Sequence, residues 1–388
     1  MSIADDLRHW ALNDAFPLWA AHGLDQSGGY FELLQADLSP VEHDRRARLT
    51  ARQIFCFCAA RQMGWDGPAE ACARHGLDFL TANLISPDGR VIMACSPGGA
   101  VAKNGHDLYD DAFVLFGLAS FDATFGPDPQ ARAAARRIAT HLVDHYGRED
   151  GLFNESVPAA PPLLANPHMH LLEGFLAWAE TDDDVDRHWL NLASGIARRA
   201  LSTLIQTDPV VLPEVYALDV TPIRQQGDWL LIEPGHQFEW GWLLWRWAGF
   251  VNEPAAREAA LAIASFGENY GVDAARGAVV NAIDETGTLR DGNAKLWPQT
   301  ERAKFWHVVS IEGPPELRAE AMARRDQALV CLKRFLDAGA LPGLWREVLT
   351  LHEGFVEEPV RASSLYHALF AILTITGTTK AGSIRDLT

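Results

Sequence analysis

One short phrase returns six times along this chain, and its spacing limits the fold more than any other feature. It reads GGYFELL from Gly28, DGRVIMA from Asp88, DGLFNES from Asp150, PVVLPEV from Pro209, RGAVVNA from Arg276 and PGLWREV from Pro342. Aligned on Gly29, Gly89, Gly151, Val210, Gly277 and Gly343, the copies are separated by 60, 62, 59, 67 and 66 residues. That period marks six units of similar length. The fourth lacks the glycine, so the repeat is one of architecture and not of strict sequence. No charged tract or Ser/Gly linker interrupts the series, which makes residues 1–388 one domain in this reading.

Between successive phrases there is room for two helices, and the two kinds read differently. The first after each phrase is nearly apolar all round, as in IFCFCAA, AFVLFGLASF, HLLEGFLAWA, FEWGWLLWRWAGF and SLYHALFAILTI. Helices of that kind are buried on every side. Those that alternate with them, such as ARAAARRIATHLVDHY, DRHWLNLASGIARRALSTLI and ELRAEAMARRDQALVCLKRFLDA, keep a charged face for water. Six buried helices inside six amphipathic ones describe an all-α fold, the (α/α)6 barrel or six-hairpin toroid, with the glycine phrases as hairpins or loops at its rim. The fifth inner segment, KLWPQTERAKFWHVV, is the most polar and carries Pro298, which makes it the weakest of the expected helices.

Composition then removes several classes of function. With 51 acidic against 33 basic residues the formal net charge is −18, opposite to what a nucleic-acid or anionic-membrane partner selects. The five cysteines, Cys56, Cys58, Cys72, Cys95 and Cys331, form no CxxC pair and suit a reducing, cytoplasmic setting. The opening MSIADDLRHWALNDAFPLWAA reads as an amphipathic helix and not as a signal peptide. No apolar run approaches the length of a membrane span. Neither a Walker loop nor a GxGxxG unit in a βαβ context is present, so no nucleotide cofactor is expected. The expected partner is a small molecule, taken up by a monomer or homodimer.

Polar residues that look out of place cluster at the starts of the inner segments. They are Arg48 and Arg52; His106, Tyr109 and Asp111; His168, His170 and Glu173; His236 and Glu239; Lys295, Trp297 and Glu301; and Arg361, Ser363 and His367. If all six segments start at one end of the barrel, these groups converge on one cavity, where helix N-termini favour a developing oxyanion. In EPGHQFEWGW, Pro234 fits a helix start and places His236 and Glu239 on one face; the plain alternative is a helix cap. His367 sits in an apolar helix, where a hydrogen-bonded core histidine is the commoner occurrence. His168 and His170 cannot share a face, and the spacing to Glu173 favours His170. HxH with a following Glu, together with His236 and Glu239, is the raw material of a metal site, but no tight ligand spacing such as HExxH accompanies it. Among 13 tryptophans, Trp229, Trp240, Trp297, Trp306 and Trp345 fall near the expected mouth, whereas Trp242, Trp245 and Trp247 read as core.

In these residues the chain resembles the N-acylglucosamine 2-epimerase superfamily of mannose isomerases, aldose–ketose isomerases and cellobiose 2-epimerases. The resemblance is carried by TARQIF around Arg52, HDLYDDAF from His106, NPHMHLLEGFLAW from Asn166, EPGHQFEWGWLL from Glu233, KLWPQTE from Lys295 and SSLYH ending at His367. It implies an (α/α)6 barrel, no metal, His236 and His367 as acid–base residues, and Arg52, His170 and Glu239 as substrate ligands. Tyr109, Asp111, Glu173, Trp297 and Glu301, from the same convergent set, complete the expected binding group. HDLYDDAF and the short rim loops look closer to mannose isomerases, while Gln226 stands where some aldose–ketose isomerases carry an arginine.

The chemistry expected is removal of the C2 proton of an open-chain, non-phosphorylated aldose to a cis-enediolate. Histidine, with an ordinary pKa of about 6.5, suits that step. Return of the proton to C1 gives the ketose of a mannose–fructose pair; delivery to C2 from the opposite face gives a 2-epimer. An inverting glycosidase using two of Asp111, Glu173, Glu239 and Glu301 is the alternative from another class, and a non-catalytic sugar-binding protein a third.

Overall fold

Helices of two kinds alternate along the chain in the computed structural model, which describes residues 2–181, 184–352 and 354–377. In order they are α1 (Ile3–Trp10), α2 (Phe16–His22), α3 (Ala47–Gln62), α4 (Ala69–Asn83), α5 (Leu108–Phe125), α6 (Pro129–Tyr146), α7 (Ala165–Ala179), α8 (His188–Arg199), α9 (Pro234–Val251), α10 (Pro254–Gly271), α11 (Leu296–Glu312), α12 (Pro315–Asp337) and α13 (Ala362–Thr376). A π-helical turn at Ala11–Ala15 joins α1 to α2, so the two act as one outer helix. The odd-numbered helices from α3 onward form the inner ring, each packed on the next, and α13 closes the ring on α3. The outer helices α4, α6, α8, α10 and α12 back α3, α5, α7, α9 and α11, and α1 backs α13. This is the (α/α)6 barrel that the repeat period implied.

Burial follows the two sequence patterns. Every residue of α9 from Pro234 to Ala248 is buried, and so is every residue of α3 from Leu49 to Ala60. Helix α12, in contrast, buries only Ala321, Ala328, Leu329, Cys331, Leu332, Phe335 and Leu336. Inner helices cross closely. A Cβ at Gly117 of α5 would lie 2.7 Å from the Ala51 carbonyl oxygen of α3, a clash that glycine alone avoids. Helix α11 forms in full despite Pro298, because that proline lies in the first turn, where a backbone N–H has no partner within the helix.

At the rim, five of the six phrases turn through a glycine of left-handed φ, and the fourth places Val210 in a short hairpin of Gln206–Thr207 with Val210–Val211. A second set of ladders joins neighbouring units just ahead of the inner helices. Arg45–Arg46 pairs with Ala94–Cys95, Leu163–Leu164 with Val215–Tyr216, Ile232 with Ile283, and Ala294–Lys295 with Val348–Leu349. Leu33–Leu34 pairs with Val360–Arg361 and so ties the first unit to the last. Within four units, a polar residue of the phrase also fastens the residue that precedes its inner helix. Glu32, Glu155, Glu214 and Asn281 accept from the backbone N–H of Arg46, Leu164, Glu233 and Lys295 at 3.0, 3.0, 3.3 and 3.1 Å. Those helix starts are thereby held at one end of the barrel.

Candidate active site

The first turns of the inner helices surround a cavity of about 530 Å³. Of the residues expected to converge, Arg52, Tyr109, His170, His236, Glu239, Trp297 and His367 line it, with Lys295, Arg361 and Ser363 nearer the mouth. Asn166, Glu233, Glu347, Glu358 and Ser364 complete most of the wall.

His236 and His367 flank the Trp297 indole, with ring centroids 4.8 and 5.9 Å from it. Each imidazole gives its Nδ1 to a carboxylate, which leaves Nε2 for a ligand. His236 Nδ1 lies 2.8 Å from Glu214 Oε2 and 3.8 Å from Glu233 Oε2. Burial disfavours its charged form, but Glu214, Glu233 and Glu239 outweigh burial and raise its pKa to about 10. His367 Nδ1 lies 3.0 Å from Glu301 Oε1. Here burial, joined by the cationic Arg52 and Lys304, outweighs Glu301 and lowers the pKa to about 4. At neutral pH the first imidazole carries a proton to give, and the second has room to take one.

Arg52 reaches the same cavity from α3. Its Nη2 donates to the Tyr109 hydroxyl at 2.6 Å, and its guanidinium carbon lies 3.9 Å from the Phe113 ring centroid. His170 gives Nδ1 to Glu173 Oε2 at 3.0 Å, and Glu173 also accepts from the Tyr366 hydroxyl at 2.8 Å. Burial and the neighbouring Arg52 and His236 keep His170 below its ordinary pKa, against the pull of Glu173. Glu239 is different again. Neither of its oxygens finds a hydrogen-bond donor, and burial, reinforced by Glu301 and Glu173, pushes its carboxyl well above the usual range. Among the described residues, three groups have ligand atoms close enough to hold a metal ion: His170, Glu173 and Glu239; Glu214, Glu233 and His236; and Glu239, Glu301 and His367.

Several expectations about position are corrected. Asp111 does not line the cavity; it is buried on the other side of the start of α5, facing His106 Nδ1 at 3.4 Å, while His106 stacks on Tyr146. Glu173 and Glu301 lie behind His170 and His367, so their side chains meet histidines and not the open space. The choice between the two histidines falls as the spacing to Glu173 suggested: His168 is held by the backbone of Leu164 and Phe153, and His170 lines the cavity. Of the five tryptophans placed near the mouth, Trp297 alone belongs to the wall; Trp240, Trp306 and Trp345 are packed in the core, and Trp229 covers Arg290 on a rim loop. Glu214, Tyr366 and Lys304 were not among the expected site residues. For Glu214 a signal was present: an acid or amide recurs late in five of the six phrases, and this one uses its second oxygen for His236.

The sequence profile of the N-acylglucosamine 2-epimerase family matches residues 29–371, nearly the full barrel. The chain belongs to that family. It is similar to a mannose-6-phosphate isomerase of Rhizobium meliloti, 34% identical over 374 residues and 95% of each chain. It is also similar to a D-mannose isomerase of Thermobifida fusca, 30% identical over 62% of this chain and 63% of that one. The fold matches a crystal structure of a D-mannose isomerase with a TM-score of 0.81 at 18% identity, covering 96% of both chains. A cellobiose 2-epimerase from Bacillus thermoamylovorans gives 0.83 at 16% identity, covering 96% of this chain and 98% of that one. This family member is a sugar isomerase or epimerase, and its described helices include none long and apolar enough to cross a membrane.

Proposed function

We propose that this enzyme interconverts a non-phosphorylated aldose and its ketose, of the mannose–fructose kind, by moving a proton between C2 and C1 of the open-chain sugar. The observation that carries the reading is the pair of carboxylate-backed imidazoles in one cavity, His236 raised to about 10 and His367 lowered to about 4. His367 Nε2 takes the C2 proton, the C1=C2 bond forms, and His236 gives its proton to O1. Neutral His236 then takes the O2 proton as C2=O forms, and His367 returns its proton to C1. The cycle closes with both groups as they began. Arg52 supplies a fixed positive charge for the enediolate, and Trp297 a face for the sugar. Glu173 and Glu301 act through His170 and His367 in this scheme.

A sugar without a phosphate is favoured by how the cations of the cavity are engaged. Arg361 is paired with Glu358 at 3.2 Å, and the buried Arg52 is the cation that the scheme uses for the enediolate, which leaves Lys295 among the described lysines and arginines of the wall for a phosphoryl group. A phosphoryl dianion is ordinarily held by several converging donors. We further propose that residues 1–388 work as one catalytic domain, monomeric or homodimeric, without a metal and in the cytoplasm; five buried unpaired thiols suit a reducing compartment. Incubation with mannose, mannose 6-phosphate, glucose, N-acetylglucosamine and cellobiose in D2O, followed by NMR, tests the scheme. The expected product is fructose, with deuterium at C1 to the extent that the proton on His367 exchanges with solvent before its return, formed equally well after exhaustive EDTA treatment. Turnover of the phosphorylated sugar alone, C2 epimers as sole products, hydrolysis of cellobiose, or activity restored only by Zn²⁺ or Mn²⁺ would each overturn a stated part.

A further inference from the structure

Lysine is rarely removed from water altogether, yet Lys304 of α11 is wholly buried beneath the cavity. Its Nζ lies 2.6 Å from Glu301 Oε2, and 4.1 and 4.4 Å from the ring centroids of Trp242 and Phe370. It is not one of the residues that line the cavity. One turn separates it from Glu301 along α11, so the helix itself presents the ammonium behind the carboxylate whose other oxygen meets His367 Nδ1 at 3.0 Å.

We infer that Lys304 is a positioning residue for the proton transfer: it holds Glu301 as a carboxylate, and the carboxylate holds His367 with Nδ1 protonated and Nε2 bare toward the sugar. The inference rests on the reading of His367 as the proton acceptor. Three carboxyl groups, Glu173, Glu239 and Glu301, crowd this floor, and Lys304 acts electrostatically on all of them. The other titratable groups around His367 are Arg52 from α3, Tyr109 from α5, His170 from α7, His236 from α9 and Tyr366 on its own helix. Burial opposes ionisation of Glu301, and Lys304 leads the groups that hold it down to about 2. With a neutral side chain at 304, Glu301 would stand buried beside two other carboxyl groups without its counter-charge and would take up a proton. A protonated Glu301 donates where it now accepts. His367 would then turn its hydrogen to Nε2 and lose the lone pair that the reaction needs.

The test reads the tautomer directly and needs no substrate. In 15N-labelled wild-type enzyme the His367 ring shifts should report the Nδ1–H form, and in Lys304→Met the Nε2–H form. Lys304→Gln should do the same if the methionine variant does not fold. Turnover should fall by at least about tenfold, the scale of loss when a group that orients an imidazole from behind is removed, with KM little changed. In a Glu301→Gln background the Lys304→Met change should have no further effect on the tautomer. A folded Lys304 variant that keeps the Nδ1–H form overturns the inference, even if activity falls. Wild-type enzyme that shows the Nδ1–H form but moves no proton on any sugar would instead condemn the functional reading.

Discussion

Two histidines face the same cavity, each with its Nδ1 on a buried glutamate, and they settle in opposite protonation states. The difference lies one layer further out. Behind His236, Glu214 stands with Glu233, so the imidazole meets only negative charge and keeps its proton. Behind His367 a single carboxylate, Glu301, opposes burial, which Arg52 and Lys304 reinforce, so the imidazole stays neutral. A carboxylate alone therefore does not make a histidine an acid or a base. The balance between burial and the surrounding charges of both signs decides, because in a low-dielectric interior charges beyond the contacting partner are also felt.

The largest expected effect comes from removing either half of the pair. His236→Asn and His367→Asn should each lower turnover by roughly a hundred- to ten-thousandfold, and the double variant by much less than the product, since both serve one transfer sequence. Wild-type turnover in both single variants would end the comparison. Next, Glu214→Gln takes away the charge that sustains the His236 imidazolium; the alkaline limb of kcat/KM should move to lower pH while the acid limb stays in place. An unmoved alkaline limb would mean that Glu214 only fastens the start of α9.

Wild-type enzyme supplies its own check through pH. Activity needs His367 unprotonated and His236 protonated, so kcat/KM should fall below about 4 as the first gains a proton and above about 10 as the second loses one. A narrow bell centred near the ordinary histidine pKa would contradict the opposed shifts. A smaller change is expected from Trp297→Phe, which keeps an apolar face but reduces its area; KM should rise by about fivefold, or roughly 1 kcal/mol of lost stacking, with turnover nearly unchanged. Smallest of all is Asp111→Asn. Because its carboxyl faces His106 outside the cavity, KM and kcat should match wild type, and a substantial rise in KM would restore it to the binding group.

Local pattern alone carried the barrel a long way. Uniformly apolar segments have nowhere to go but the inner ring, striped ones must back them, and the turn phrase sets the count at six. The polar residues at the starts of inner segments were legible for the same reason, since His236, His367, Arg52 and His170 are anomalies within their own helices. Tertiary structure decided what those anomalies meet. Asp111 and Tyr109 are two residues apart on α5, yet their side chains diverge, Tyr109 toward Arg52 and Asp111 toward His106. Trp306 looked like a candidate for the wall, but helical phase turns it away from Trp297 and into the core. Glu214 reaches His236 across 22 residues of rim loop, and Glu301 meets His367 across 66. Lys304 lay inside an already suspect segment, but a lysine read on its own signals solvent; only the closed ring, with Trp242 and Phe370 over its ammonium, shows that it is buried. Protonation states belong to this second category throughout. They depend on burial and on charges contributed by separate helices, and neither quantity exists until the barrel has closed.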